Sequence, residues 1–166
     1  MAKKHVIATS ANDKEIYTYL IQTAVARQIS RQPHLVTLIK EVVKSLNLTT
    51  PHLMLEQDMG RTVGYSEQLE TRENDAIFYA KQSKSEVYTR FVKNRKTNPT
   101  SFLCIVLNRD EDGDYELTSV WVGKMFPPIP GTEHATDQSK AYWADHAVVY
   151  NGQPILSSTQ TKDCPY

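Results

Sequence analysis

Cysteine is scarce in this chain, long apolar runs are missing and neither sign of charge prevails. Two cysteines, Cys104 and Cys164, are too few for a disulfide framework, and such usage suits a reducing compartment. No apolar stretch approaches the ~20 residues that a membrane-spanning helix needs. The opening MAKKHVIATSANDKE carries charge with no apolar segment behind it, so a secretory signal is not expected. These absences lead to the expectation of a soluble cytoplasmic protein. Lys+Arg and Asp+Glu balance at 19 each, which argues against a globally basic nucleic-acid binder while leaving room for a local basic patch.

Metal and cofactor signatures are missing as well. The cysteines lie far apart, with neither CxxC nor HExxH in the chain, so no metal or cofactor is expected. GRTVG lacks the spacing and the Lys-Ser/Thr end of a phosphate-binding Walker loop, and G-x-S-x-G does not occur. The most readable enzyme classes are thereby excluded.

What is present is ordinary globular material. The chain has 166 residues, 40% hydrophobic and 23% charged, which suits one domain over residues 1–166. Helical periodicity runs over residues 12–30, where Ile16, Tyr17, Leu20, Ile21, Ala24 and Val25 form a stripe and Ser10 or Asn12 caps the start. A second helix is predicted over 33–46, with Pro33 in its first turn. LMLEQDMG reads as a short strand or a helical turn, and GRTVGYSEQLETREND as a loop or an edge hairpin. Four strands follow, at 76–81, 87–94, 100–109 and 115–123, rich in β-branched and aromatic residues. Short polar links, one carrying the Asp-Gly of DEDGD, predict an antiparallel meander. A Pro-rich loop, a short helix opening at Ser139 and a last strand in PILSSTQTKDCPY complete the chain. The expected fold class is α+β: two N-terminal helices packed on an antiparallel sheet of about four to six strands, with a short helix near the C-terminus.

The strand VYTRFVKN is the feature that calls for chemistry. Alternation sets Tyr88, Arg90 and Val92 on one face and Val87, Thr89, Phe91 and Lys93 on the other. A buried cation needs a partner, so Arg90 faces either a carboxylate such as Glu86 or Glu116, or an anion that it grips with two parallel hydrogen bonds. Lys93 opens a basic run, KNRK, that is also what a solvated turn looks like. Of the five histidines, His146 sits in the densest aromatic context and is the candidate general acid or base. Trp121 and Trp143 read as core anchors or as stacking platforms. Tyr79, Tyr88 and Tyr115 are placed to line one sheet face, as in single-strand binders or in a sheet covered by helices. Thr161 lies among alternating hydroxyls that suit either a phosphate or an exposed edge.

The order of elements, with the pieces YTRFVK, TSFLCIVL, DEDGD and YELTSVW, resembles the compact bacterial ribonucleases of the barnase, EndoU, colicin and RelE superfamily over roughly residues 10–125. The segments AIFYAK, GKMFPPIPG and KAYWADHAVVY resemble an uncharacterised family of small bacterial and phage-borne proteins, which implies no activity. The ribonuclease resemblance implies metal-independent RNA cleavage by 2′-hydroxyl attack on phosphorus. Arg90 and Lys93 would then stabilise the phosphorane charge, His146 would move protons, and Thr161 or Thr89 would hydrogen-bond a phosphate oxygen. Tyr88 and Trp121 would contact substrate, and RNA or an antitoxin-like protein would be the partner. In an ideal strand Arg90 and Lys93 face opposite ways, so this site requires a bulge or a strand end at Lys93. The competing reading is a non-catalytic binding or regulatory protein.

Overall fold

The computed structural model describes residues 3–19, 23–83 and 85–166. Its first elements are β1 (Lys4–Thr9), β2 (Glu15–Tyr19), α1 (Ala24–Arg31), α2 (His34–Val43) and β3 (His52–Asp58). The middle of the chain supplies β4 (Gly64–Ser66), β5 (Gln68–Glu70), β6 (Ala76–Lys81), β7 (Tyr88–Lys93) and β8 (Asn98–Thr100). After them come β9 (Phe102–Arg109), β10 (Tyr115–Val122), α3 (Asp137–Asp145) and β11 (His146–Val149). The fold is mixed, with helices and a larger share of sheet. None of the described helices is long and apolar enough to cross a membrane. The described residues form two compact units, Met1–Val63 with Ser101–Lys124, and Gly64–Thr100 with Met125–Tyr166.

The first unit is a five-stranded sheet in the order β1-β2-β10-β9-β3. Its pairs are antiparallel except β2 with β10, which run parallel. The helix expected over 12–30 is replaced in its first half by β2. Ile16, Tyr17, Thr18 and Tyr19 are all β-branched or aromatic, a composition that fits a pleated surface better than a helix, and the first three are buried. Asp13, at φ 62°, turns the chain from β1 into β2. The expected positions Leu20 and Ile21 lie outside the described residues. The helix itself starts at Ala24, where the Thr23 hydroxyl accepts the Ala26 amide at 3.1 Å.

The second predicted helix is present as α2, which buries Leu35, Leu38, Ile39, Val42 and Val43. That stripe meets Ile16, Ile105, Leu107 and Leu117 of the sheet in one apolar cluster. The caps expected at Ser10 and Asn12 serve a different purpose. The Asn12 amide donates to the Leu48 carbonyl at 2.9 Å and accepts the Leu48 amide at 3.0 Å, tying the β1–β2 turn to the segment after α2.

In the second unit the sheet order is β5-β11-β7-β6, and β4 and β8 form a separate pair. The expected meander therefore breaks between β7 and β9, which belong to different sheets. The antiparallel expectation also fails at β11, which runs parallel to β7. The segment LMLEQDMG resolves as strand β3. The short helix starts before Ser139, at Asp137, and gives way to strand at His146 because HAVV slots between β5 and β7. Both sheet faces are covered by apolar side chains. Phe78, Ala80, Phe91, Val148 and Tyr150 cluster on one, and Leu69, Ile77, Val92, Ala147 and Val149 on the other.

Removing the Asn12 amide leaves the Leu48 backbone without either partner, and an orphaned buried polar group costs about 1–3 kcal/mol. Asn12→Ala should lower the unfolding free energy by that amount in a urea titration. Asn12→Asp, which still accepts but no longer donates, should fall between the two.

Candidate functional site

The second unit carries a cleft of about 710 Å³ beside the end of the β6–β7 hairpin. Its floor is Ala76, Ile77 and Phe78 of β6. Its polar lining comes from Lys93 at the end of β7 and from Ser157, Gln160, Thr161 and Lys162 near the end of the chain. The volume lies within the few hundred to one thousand Å³ typical of small-molecule sites.

The geometry of the last segment explains how those residues arrive there. The segment docks along β6 through two bridges, Gln82 to Ile155 and Tyr79 to Thr161. The segment thus takes six residue steps, Ile155 to Thr161, along what the β6 side covers in three, Tyr79 to Gln82. The surplus is taken up by a 3₁₀ turn at Ser157–Thr159, which brings Ser157 and Gln160 to the cleft. Backbone bonds fix both ends: Leu156 N donates to Lys81 O at 2.8 Å, and Tyr79 and Thr161 exchange bonds of 2.7 and 2.8 Å. Between them the Thr159 hydroxyl accepts the Lys81 amide at 2.9 Å.

Lys93 holds its ammonium 5.0 Å from the Phe78 ring centroid, a cation–π contact that positions the charge over the apolar floor. The strand stops directly after it, because Asn94 adopts φ 62°. The next turn is clamped by Asp75. Its carboxylate accepts the Arg72 amide at 2.6 Å and an Arg95 Nη1 bond at 2.7 Å. The Arg72 amide, with Arg95 beside it, holds the Asp75 carboxyl below the usual carboxylate range. Among the described residues, the lining contains two lysines, two hydroxyls and an amide, with no carboxylate and no imidazole.

The residues expected to form one site are distributed differently. Lys93 and Thr161 share the cleft. Arg90 does not, because the β6–β7 register runs unbroken from Ala76 opposite Lys93 to Lys81 opposite Tyr88. No bulge intervenes, so Arg90 and Lys93 project from opposite faces. Nor does Arg90 pair with Glu86 or Glu116. Its Nη1 donates to the Thr71 hydroxyl and to the His146 carbonyl, both at 3.0 Å.

His146 stacks on Tyr142 with ring centroids 3.9 Å apart. Its Nδ1 lies 2.9 Å from the Tyr142 carbonyl and 2.7 Å from the Asp145 carboxylate. Thr89, expected at a phosphate, is 3% exposed and is paired with Ala80 in the ladder, so it belongs to the interior. The Tyr88 ring lies 5.2 Å from the Lys81 ammonium. Trp121 belongs to the other unit, where its indole donates to the Lys124 carbonyl at 3.2 Å. Tyr115 also lies in that unit, buried, with its hydroxyl donating to Thr50 O at 2.8 Å, so the three-tyrosine face is not formed. Of that set, Tyr79 and Tyr88 share a face with Arg90.

Ser157, Gln160 and Lys162 were not anticipated in the site. The signal that pointed toward them was the run of hydroxyls around Thr161, while their convergence depends on the 3₁₀ turn. No protein-family model, curated protein or solved structure matches this chain.

Because the folded Asp75 is more acidic than its unfolded counterpart, its stabilising contribution is complete above the unfolded value of about 4. That contribution is lost as pH falls through the lower folded value. Thermal melts of the wild type should therefore lose stability over that acid range. Asp75→Asn should be less stable at neutral pH and should show a shallower decline there.

Proposed function

We propose that this chain is a non-catalytic binding protein whose ligand is a small phosphate ester, held in the cleft between Lys93 and Lys162. The observation that carries this reading is the composition of the lining: two ammonium groups, two hydroxyls and an amide around an apolar floor. Ammonium groups bind phosphate as point charges, hydroxyls and amides supply directed hydrogen bonds, and an apolar floor takes the ester's carbon portion. The same lining offers no carboxylate or imidazole to move a proton, which favours binding over turnover.

Metal-independent RNA cleavage is the second reading. One observation favours it: Arg90 bonds the backbone of His146, and that imidazole meets the Asp145 carboxylate, an arrangement that orients a ring for proton transfer. It requires Arg90, His146, Lys93 and Thr161 to act on one phosphorus, whereas the ladder sends Arg90 and Lys93 to opposite faces.

Titration with a nucleoside monophosphate, followed by calorimetry, separates the two. Saturable binding is expected. Lys93→Ala or Lys162→Ala should each weaken it by roughly tenfold, about 1.4 kcal/mol, and added salt should weaken it further. Binding that ignores both substitutions would sink the cleft assignment. Incubation with RNA in a chelator should leave the RNA intact; cleavage that disappears in His146→Ala would instead establish the ribonuclease reading.

A further inference from the structure

The face of the second unit's sheet that carries Arg90 has an unbalanced charge. The partners of the guanidinium, the Thr71 hydroxyl, the His146 carbonyl and the Tyr79 phenol, are neutral. Its Nε is buried and, among the described residues, stands out as the buried side-chain nitrogen with no acceptor. The ion pairs of lysine and arginine side chains among the described residues involve Lys4, Arg61 and Arg95, and Arg90 takes part in none of them. A guanidinium drawn out of water without a counter-charge is costly, and neutral acceptors offset this only in part. Its planar fork is shaped for an oxyanion.

The nearest neighbours on this face are aromatic. Tyr79 stands directly opposite Arg90 in the ladder. Its ring meets that of Tyr166 edge-on, with centroids 5.9 Å apart and planes at 89°. Tyr166 is 37% exposed. Its attachment includes a small turn in which the Cys164 thiol donates to the Tyr166 carbonyl at 3.0 Å. Burial pushes the Tyr166 phenol up to about 12, and burial raises Tyr79 as well, with Arg90 opposing the rise in both. Both phenols therefore stay neutral at physiological pH: Tyr79 hydrogen-bonds the guanidinium, but neither ring brings it a negative charge.

We propose that Arg90 and the Tyr79 ring form a binding site for an aryl phosphate, and that the Tyr166 ring sits over it as a displaceable cover. The phenol of Tyr166 has the shape of such a ligand without its charge. An aryl phosphate would set its ring against Tyr79 and give Arg90 the oxyanion that the fold leaves out. This site is separate from the Lys93 cleft, since Arg90 and Lys93 lie on opposite faces.

The test is calorimetric titration of the full chain with phenyl phosphate. Tyr166→Ala should bind it roughly tenfold more tightly than the wild type, the scale of one charge-assisted contact freed from competition. Adding Arg90→Lys to that variant should reverse the gain, because an ammonium lacks the fork. Phenol and inorganic phosphate should each bind Tyr166→Ala at least about tenfold more weakly than phenyl phosphate, since each lacks one half of the recognition. Binding in the Lys93 cleft would not respond to Tyr166.

Equal affinity in the wild type and Tyr166→Ala would overturn the proposal. So would phenol binding as well as its phosphate, a comparison that needs no Arg90 variant to fold. Inorganic phosphate binding as tightly as phenyl phosphate would overturn the aromatic half.

Discussion

The unbroken β6–β7 ladder is the constraint on which the rest of the second unit depends. With a side-chain period of two and no bulge, it fixes which residues meet across the hairpin. Phe78 falls opposite Phe91, where their rings stack at 5.2 Å and Tyr150 closes on both edge-on. Ile77 and Val92 fall opposite one another on the other face and join a second apolar cluster. The sheet is therefore covered on both sides, and charge reaches it only where the covering ends. Lys93 reaches water at the strand terminus, over the Phe78 ring. Arg90, half-buried within the strand, turns to the neutral acceptors within reach.

The same regularity separates the two cations that the primary structure places three positions apart. The ribonuclease resemblance implies one phosphate-binding centre for them, on condition of a bulge or a strand end at Lys93. The ladder instead divides them between a solvated cleft and an aromatic, half-buried niche. Each environment selects a different chemistry. The cleft pairs ammonium groups with hydroxyls and an open floor, whereas the niche holds a guanidinium beside Tyr79, bonded to Thr71 and the His146 backbone. A residue's partners here follow from strand parity more than from sequence distance.

Strand identity was legible wherever β-branched and aromatic residues crowded together, and AIFYAK was placed to the residue. The same signal was misread at Ile16–Tyr19, because Ile16, Tyr17, Leu20 and Ile21 satisfy a helical stripe as well as a strand. Only the partner strands β1 and β10 decide between them. Pairing was the least legible level. Short polar links imply neighbours, yet β8 carries the chain away from β7 by pairing with β4, and nothing local in RKTNP announces that. Three of the five polar residues in the cleft escaped for a similar reason. Lys93 and Thr161 carried a visible chemical signal, but Ser157, Gln160 and Lys162 reach the cleft through a backbone surplus that exists only once the last segment has docked on β6.

The order of strands has a bearing on how the chain acquires its structure. Through Val63 the first unit possesses β1, β2 and β3, which are the two flanks of its sheet. The strands that join those flanks, β9 and β10, are reached only after the whole excursion through Gly64–Thr100. In the second unit β5, β6 and β7 likewise wait for β11 to enter between β5 and β7. Each sheet is thus closed by its interior, not extended from one edge. Such long-range closure demands loop entropy before it returns contacts, which is the signature of slow folding. It also leaves apolar strand edges uncovered until late in synthesis, when an encounter with another chain competes with completion of the fold.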